Sequence, residues 1–305
     1  MLSVVSQMAV MVLGGIAWRL WRFGGWEAER ARTALTTLVY YLMLPALVLS
    51  VLWRAPLDVD ALRIPLAAAA GVFGAMLLMA LVGRVQRPGR ARLGALLLAA
   101  SFPNATYLGL PVLESLYGDA GRAIAIQYDL FACTPILLSL GIYIAARMGG
   151  KGEAVHPLGA LLRVPPLWAA VLAVALNLGG IPQPEWLFGI LDRLGAGVVP
   201  IMLVALGMSL RLDALRPSSL IAVAPAVLIQ LFAMPLIVLG VGSAMGLSGM
   251  RLVAVVLEGA MPVMVLGLVL CDRYGLDTAL YATAATLSVI LSLLTLPLWF
   301  AWGGG

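Results

Sequence analysis

Phe102 to Gly118, FPNATYLGLPVLESLYG, places two prolines, two glycines and an asparagine in an otherwise apolar segment running from Leu93 to Tyr117. In hydrocarbon every backbone N–H and C=O needs a partner, so unwound chain persists only where it is buried in protein or lines a cavity. Pro103 has no N–H to donate and clashes with the turn before it, which frees carbonyls upstream and opens a new half-helix downstream. The N-terminus of such a half-helix suits a carboxylate, and the Asn104 amide adds an uncharged donor. The asparagine also fits a helix cap after the kink, and the two roles are compatible. Thr106 and Tyr107 are candidate pocket walls, although core packing is the more ordinary role for either alone, while Gly109 and Pro111 shape the returning half-helix.

Outward from this stretch the chain reads as a polytopic membrane protein. Hydrophobic residues make up 63% and charged residues 11% of 305 residues, with a mean hydropathy of +1.05, a balance foreign to soluble domains of this size. Apolar runs near the roughly 20 residues needed to cross a bilayer number ten: Val4 to Trp21, Ala34 to Trp53, Leu62 to Gly83, Leu93 to Tyr117, Ala123 to Ala146, Pro165 to Leu178, Trp186 to Leu210, Leu215 to Met245, Leu252 to Cys271 and Leu276 to Trp302. The first lacks the basic flank and cleavage site of a signal peptide.

Charge sets the expected orientation. Arg19, Arg22, Arg30, Arg32, Arg84, Arg87, Arg90, Arg92, Arg147, Lys151, Arg163, Arg211, Arg216 and Arg273 fall on one side, fourteen of nineteen basic residues, against Arg54, Arg63, Arg122, Arg193 and Arg251 on the other. The positive-inside rule places the first set in the cytoplasm and both termini outside a plasma membrane of bacterial type. The net charge of +5 is spread over short loops, so it does not indicate nucleic-acid binding. Cys133 and Cys271 lie in apolar runs and read as core residues, and His156 stands alone in a loop, so no metal or cofactor is expected.

The halves resemble each other. Arg92 to Pro103 (RLGALLLAASFP) matches Arg251 to Pro262 (RLVAVVLEGAMP), each followed by Tyr-Gly at 117–118 and 274–275, and Leu44-Pro45-Ala46-Leu47 matches Val199-Pro200-Ile201-Met202. Five spans per repeat is an odd number, so the second repeat enters from the opposite side, the inverted arrangement of secondary transporters. The site is then expected where the fourth and ninth spans meet, at Pro103, Asn104, Thr106, Tyr107, Pro262 and Val263. Three carboxylates lie within the spans, Glu114, Asp129 and Glu258, and intramembrane ionisable groups are functional candidates by default. Asp129 and Glu258, with Gln127 and Tyr128 as polar neighbours, are expected to couple substrate to protons. A structural hydrogen bond is the alternative for either, and exposed carbonyls leave sodium open. No Lys or Arg lies deep in a span, which slightly favours a monocarboxylate or aromatic acid.

The Phe102–Gly118 stretch resembles the Pro-Asn-Thr…Gly-x-Pro-Leu-Leu…Tyr-Gly signature of the auxin efflux carrier family. Glu258-Gly-Ala-Met-Pro262 with Asp272 to Asp277, and Val199 to Leu210, also look like bacterial members, whose linker is as short as Arg147 to Arg163 here. The resemblance implies an all-α fold of ten transmembrane helices in two inverted five-helix repeats, residues 1–147 and 164–305 joined by 148–163. In this arrangement, similar to bile-acid symporters and sodium/proton antiporters, broken helices four and nine cross. It further implies a homodimer in the lipid bilayer with helices 1, 2, 6 and 7 as scaffold and helices 3–5 and 8–10 as an elevator-like transport domain. The implied activity is secondary transport of small organic acids, auxin-like or other carboxylates. The alternatives are a sodium-coupled or uniport carrier of malate or malonate, or a channel; the Ser, His and Asp residues are not arranged for an enzyme.

Overall fold

The computed structural model describes residues 2–150, 157–215 and 217–303; Lys151, His156, Arg216, Gly304 and Gly305 lie outside them. Twelve helices carry the described chain: α1 (Leu2–Trp21), α2 (Ala28–Leu52), α3 (Asp60–Gln86), α4 (Arg90–Ser101), α5 (Ala105–Gly149), α6 (Pro157–Leu161), α7 (Pro165–Leu178), α8 (Glu185–Ser209), α9 (Pro217–Ala244), α10 (Gly249–Gly259), α11 (Leu266–Tyr274) and α12 (Thr278–Trp302). No strand forms among the described residues. Helices α2, α3, α5, α8, α9 and α12 are each long and apolar enough to cross a membrane, which makes this a multi-pass membrane protein. Within α5, Gly118 takes φ 58° and ψ −136°, a backbone closed to most side chains, and breaks the helix between Tyr117 and Asp119. The short apolar run at Pro165 to Leu178 is a helix of 14 residues, α7.

Proline shapes the long helices in a repeated way. Five-residue wide turns occupy Val39–Met43 in α2, Ala105–Gly109, Asp129–Cys133 and Leu137–Gly141 in α5, and Ile229–Ala233 in α9. All but Leu137–Gly141 are followed at the second residue by proline: Pro45, Pro111, Pro135 and Pro235. The proline ring cannot fit against the carbonyl four residues earlier and has no N–H to offer it. Widening the preceding turn to an i→i+5 bond accommodates the ring without ending the helix.

Close backbone approach and a few polar ties hold the helices together. α1 crosses α8 where a side chain on Gly207 would meet the Gly15 Cα at 3.0 Å and the Val12 carbonyl closer still, so the small residues permit packing that hydrophobicity alone does not drive in lipid. The Asn177 side chain on α7 donates to the carbonyls of Leu52, Trp53 and Ala55 at 3.0, 2.9 and 2.8 Å. These are the unpaired carbonyls at the end of α2. Trp53 Nε1 returns a bond to Ile181 O at 2.7 Å. On the other side of the molecule Trp299 Nε1 of α12 donates to Leu231 O in the wide turn of α9, at 2.9 Å.

Candidate functional site

The break between α4 and α5 and the break between α10 and α11 meet in the interior. Pro103 and Val263 lie opposite each other as an isolated antiparallel pair, framed by Asn104 N–H donating to Pro262 O at 2.7 Å and Met264 N–H donating to Phe102 O at 2.9 Å. The pairing calls on no N–H from either proline. The Val263 N–H faces away and donates to Ser288 Oγ of α12 at 3.0 Å. Gln230, in the wide turn of α9, donates from Nε2 to Met261 O at 3.0 Å and Gly259 O at 3.3 Å. Tyr281 donates its hydroxyl to Met264 O at 2.7 Å. The backbone groups that unwinding exposes are therefore taken up by three side chains from α9 and α12, as burial in an apolar medium requires. Both prolines sit in the extended crossing itself, and the helices resume beyond them, at Ala105 and Leu266.

Asn104 stands at the start of the returning half-helix. Its Oδ1 accepts from Tyr107 N–H at 3.3 Å and its carbonyl from Leu108 and Gly109 N–H at 3.2 and 3.0 Å. The residue is buried, and its Nδ2 has no partner. It borders a cavity of about 380 Å³. Thr106 and Tyr107 share that lining with Asp129, Leu130, Thr134 and Leu137 of α5, Thr36, Thr37, Tyr40, Tyr41 and Leu44 of α2, Val164 and Pro166 at α7, and Met264 and Leu266 beyond the second break. The walls are mainly aliphatic and aromatic. No Lys, Arg or His is among the lining residues. The cavity lies toward the arginine-rich end of α2, the end that follows Arg22 and carries Arg30 and Arg32 in its first turns.

Asp129 is 5% exposed and sits in one of the wide turns. Its carboxylate accepts from the Thr106 hydroxyl, on the other side of the Gly118 break in α5, and from the Thr134 hydroxyl at 3.1 Å. Glu258 is placed differently. It is fully buried, both its oxygens lack partners, and it packs against Gly109, where a methyl would collide with both oxygens. It does not line the cavity, and neither does Gln127, which is buried with Oε1 unpaired. Tyr128 is fully buried, its hydroxyl unpaired and close to Gly259. Glu114 is taken up by Arg122 at 2.5 Å.

Of the residues named from sequence, Asn104, Thr106, Tyr107 and Asp129 converge on the cavity, and Pro103, Pro262 and Val263 build the crossing behind it. Glu258 and Gln127 lie in the packed interior. Tyr40, Tyr41, Thr134, Gln230, Ser288 and Tyr281 were not anticipated. The proline two residues beyond their wide turns, Pro45 and Pro235, is the signal that marks Tyr40, Tyr41 and Gln230. Ser288 and Tyr281 carry no local mark, because only the fold brings α12 to the break.

These features, a multi-pass helical protein with paired broken helices at an internal cavity, define a membrane transporter. A profile described as "Membrane transport protein" matches the chain in two stretches, residues 2–159 and 157–300, and the chain belongs to that family, the auxin efflux carrier family. It is 31% identical to an "Uncharacterized transporter" of Methanothermobacter thermautotrophicus over 310 residues, spanning 97% of this chain and 96% of the relative. It is 26% identical to the transporter MJ1031 of Methanocaldococcus jannaschii over 305 residues, 98% and 97% of the two chains. It is 30% identical to the transporter YfdV of Escherichia coli over 210 residues, 66% and 65% of the two.

Proposed function

We propose that the protein is a secondary carrier of small organic carboxylates that binds them at the crossing of its two broken helices. The observation that carries this reading is the unpartnered Asn104 Nδ2, buried at the mouth of a returning half-helix and bordering a cavity of about 380 Å³. A carboxylate there accepts from the amide and lies near the positive end of the half-helix, while aromatic and aliphatic walls hold its body. With no arginine in the lining, the site suits a monocarboxylate or aromatic acid better than a dicarboxylate such as malate or malonate. Binding by dipoles and amides is modest, which lets a carrier release its cargo.

The antiparallel crossing supports the ten-span reading, with two inverted repeats at 1–147 and 164–305 and elevator-like movement of spans three to five and eight to ten against spans one, two, six (α7) and seven (α8) in a homodimer. By the charge asymmetry, both termini face outward from a plasma membrane and the cavity faces the cytoplasm. Asp129 favours proton coupling over sodium. An anion and an ionised carboxylate in one cavity repel, so binding the acid takes up a proton at Asp129. Glu258, buried without a partner, is the second coupling candidate.

The test is uptake into proteoliposomes of labelled malate, malonate, indole-3-acetate and related acids, with and without an imposed pH gradient. Saturable uptake of one acid, stimulated by the gradient, is the expected result. Flux that rises linearly with concentration would mean a channel, and no flux of any acid would remove the carboxylate reading.

A further inference from the structure

The cavity at the crossing has a counterpart at the other end of α2. Ser50, Arg54, Asp119, Arg122, Phe188 and Asp192 border a second crevice of about 240 Å³. Between the two lies a void of about 10 Å³ among Leu44, Val48, Leu110, Ala125, Ile126 and Asp129, room for about one water at most. The residue order is consistent along both walls. α2 runs from Tyr40 and Leu44 in the cavity, through Val48 at the constriction, to Ser50 and Arg54 in the crevice; α5 runs from Thr134 and Asp129, through Ile126 and Ala125, to Arg122 and Asp119. One seam therefore passes between α2 and α5, wide at one end, shut in the middle, and partly open at the other.

Arg122 spans this far mouth. Its guanidinium is anchored on its own helix by Glu114 at 2.5 Å and Asp119 at 2.9 Å, and reaches Asp192 of α8 at 3.9 Å. Among the described residues this is the one ion pair joining α5 to α8. Beside it the Arg54 guanidinium lies 3.7 Å over the Phe188 ring, fixing the end of α2 to the same face of α8.

We infer that this seam is the full transport route and that the Arg122–Asp192 pair is the latch that keeps its second mouth shut while the first is open. The inference rests on the carrier reading, with α2 and α8 in the static part and α5 in the moving part. Arg122 is held by two acids of its own helix, so it travels as a unit with α5 and gains or loses only Asp192 as the mouth closes or opens.

The experiment reads access at both ends without any substrate. In nanodiscs, Ser50→Cys reports the crevice and Thr37→Cys the cavity through their rates of reaction with a polar maleimide, in a chain carrying Cys133→Ala and Cys271→Ala. Asp192→Asn is expected to speed labelling at position 50 about two- to fivefold, the range of a partly exposed ion pair, and to slow labelling at position 37. Asp192→Glu restores both rates. High salt on the chain with Asp192 intact shifts the rates in the same direction through screening, which serves if the Asn variant does not fold. Unchanged rates at position 50 overturn the latch, and faster labelling at 50 with none lost at 37 reduces it to local loosening. Failure of acid uptake with reciprocal labelling intact would overturn the carboxylate reading and leave the latch standing.

Discussion

In the proposed carrier Asn104 has two tasks for two ends of one amide, and substitution separates them. Oδ1 caps the returning half-helix through Tyr107 N–H, and Nδ2 has no partner, which in the proposed function leaves it to the cargo. Serine caps as well as asparagine does but has no amide to extend into the cavity. Asn104→Ser is therefore expected to leave stability within about 0.5 kcal/mol, whereas Asn104→Ala loses the cap at about 0.5–2 kcal/mol. The Tyr107 bond is long at 3.3 Å, which places alanine at the lower end of that range. A hydrogen bond to a charged group is worth about 1.5–3 kcal/mol, so both variants weaken binding of the acid by roughly ten- to more than a hundredfold. The assays are saturable uptake in proteoliposomes, read as the change in KM, and the thermal unfolding midpoint of the purified protein. Wild-type affinity in Asn104→Ser, with the protein folded, would refute the assignment of the free amide to the cargo and leave Asn104 as a cap only.

Asp129→Asn is expected to abolish stimulation of uptake by a pH gradient while retaining downhill flux; full pH dependence in both Asp129→Asn and Glu258→Gln would end the coupling assignment. Gly109→Ala drives a methyl into the Glu258 carboxylate and should destabilise the fold by about 1–3 kcal/mol, with part of the loss recovered in the double variant with Glu258→Ala, a non-additivity that a denaturation cycle measures. Ser288→Ala removes the acceptor for the Val263 N–H and should cost about 1–3 kcal/mol, seen as a lowered thermal midpoint, whereas Ser292→Ala on the same helix, whose hydroxyl only bonds its own helix at Val289, should change it little.

Much of the site was legible in the chain because membrane solvation makes local sequence unusually informative. A bilayer demands apolar stretches of a set length and a partner for every peptide group, so the apolar runs, the break at Pro103-Asn104, its counterpart at Pro262 and the rare intramembrane carboxylates could be read residue by residue. What local reading does not carry is helical phase. Each wide turn inserts a residue, which rotates everything beyond it by about 100°, and α2, α5 and α9 contain five such turns. That rotation, together with the crossing of two segments far apart in sequence, turns Asp129 toward the cavity with Thr106 and Thr134, leaves Glu258 against Gly109 without a partner, and brings Gln230, Tyr281 and Ser288 to the exposed backbone. The sequence thus determined that the chain spans a membrane and where its helices break. Which polar groups meet at the break was decided by tertiary packing, because orientation about a helix axis depends on every turn before it and on the neighbour it packs against.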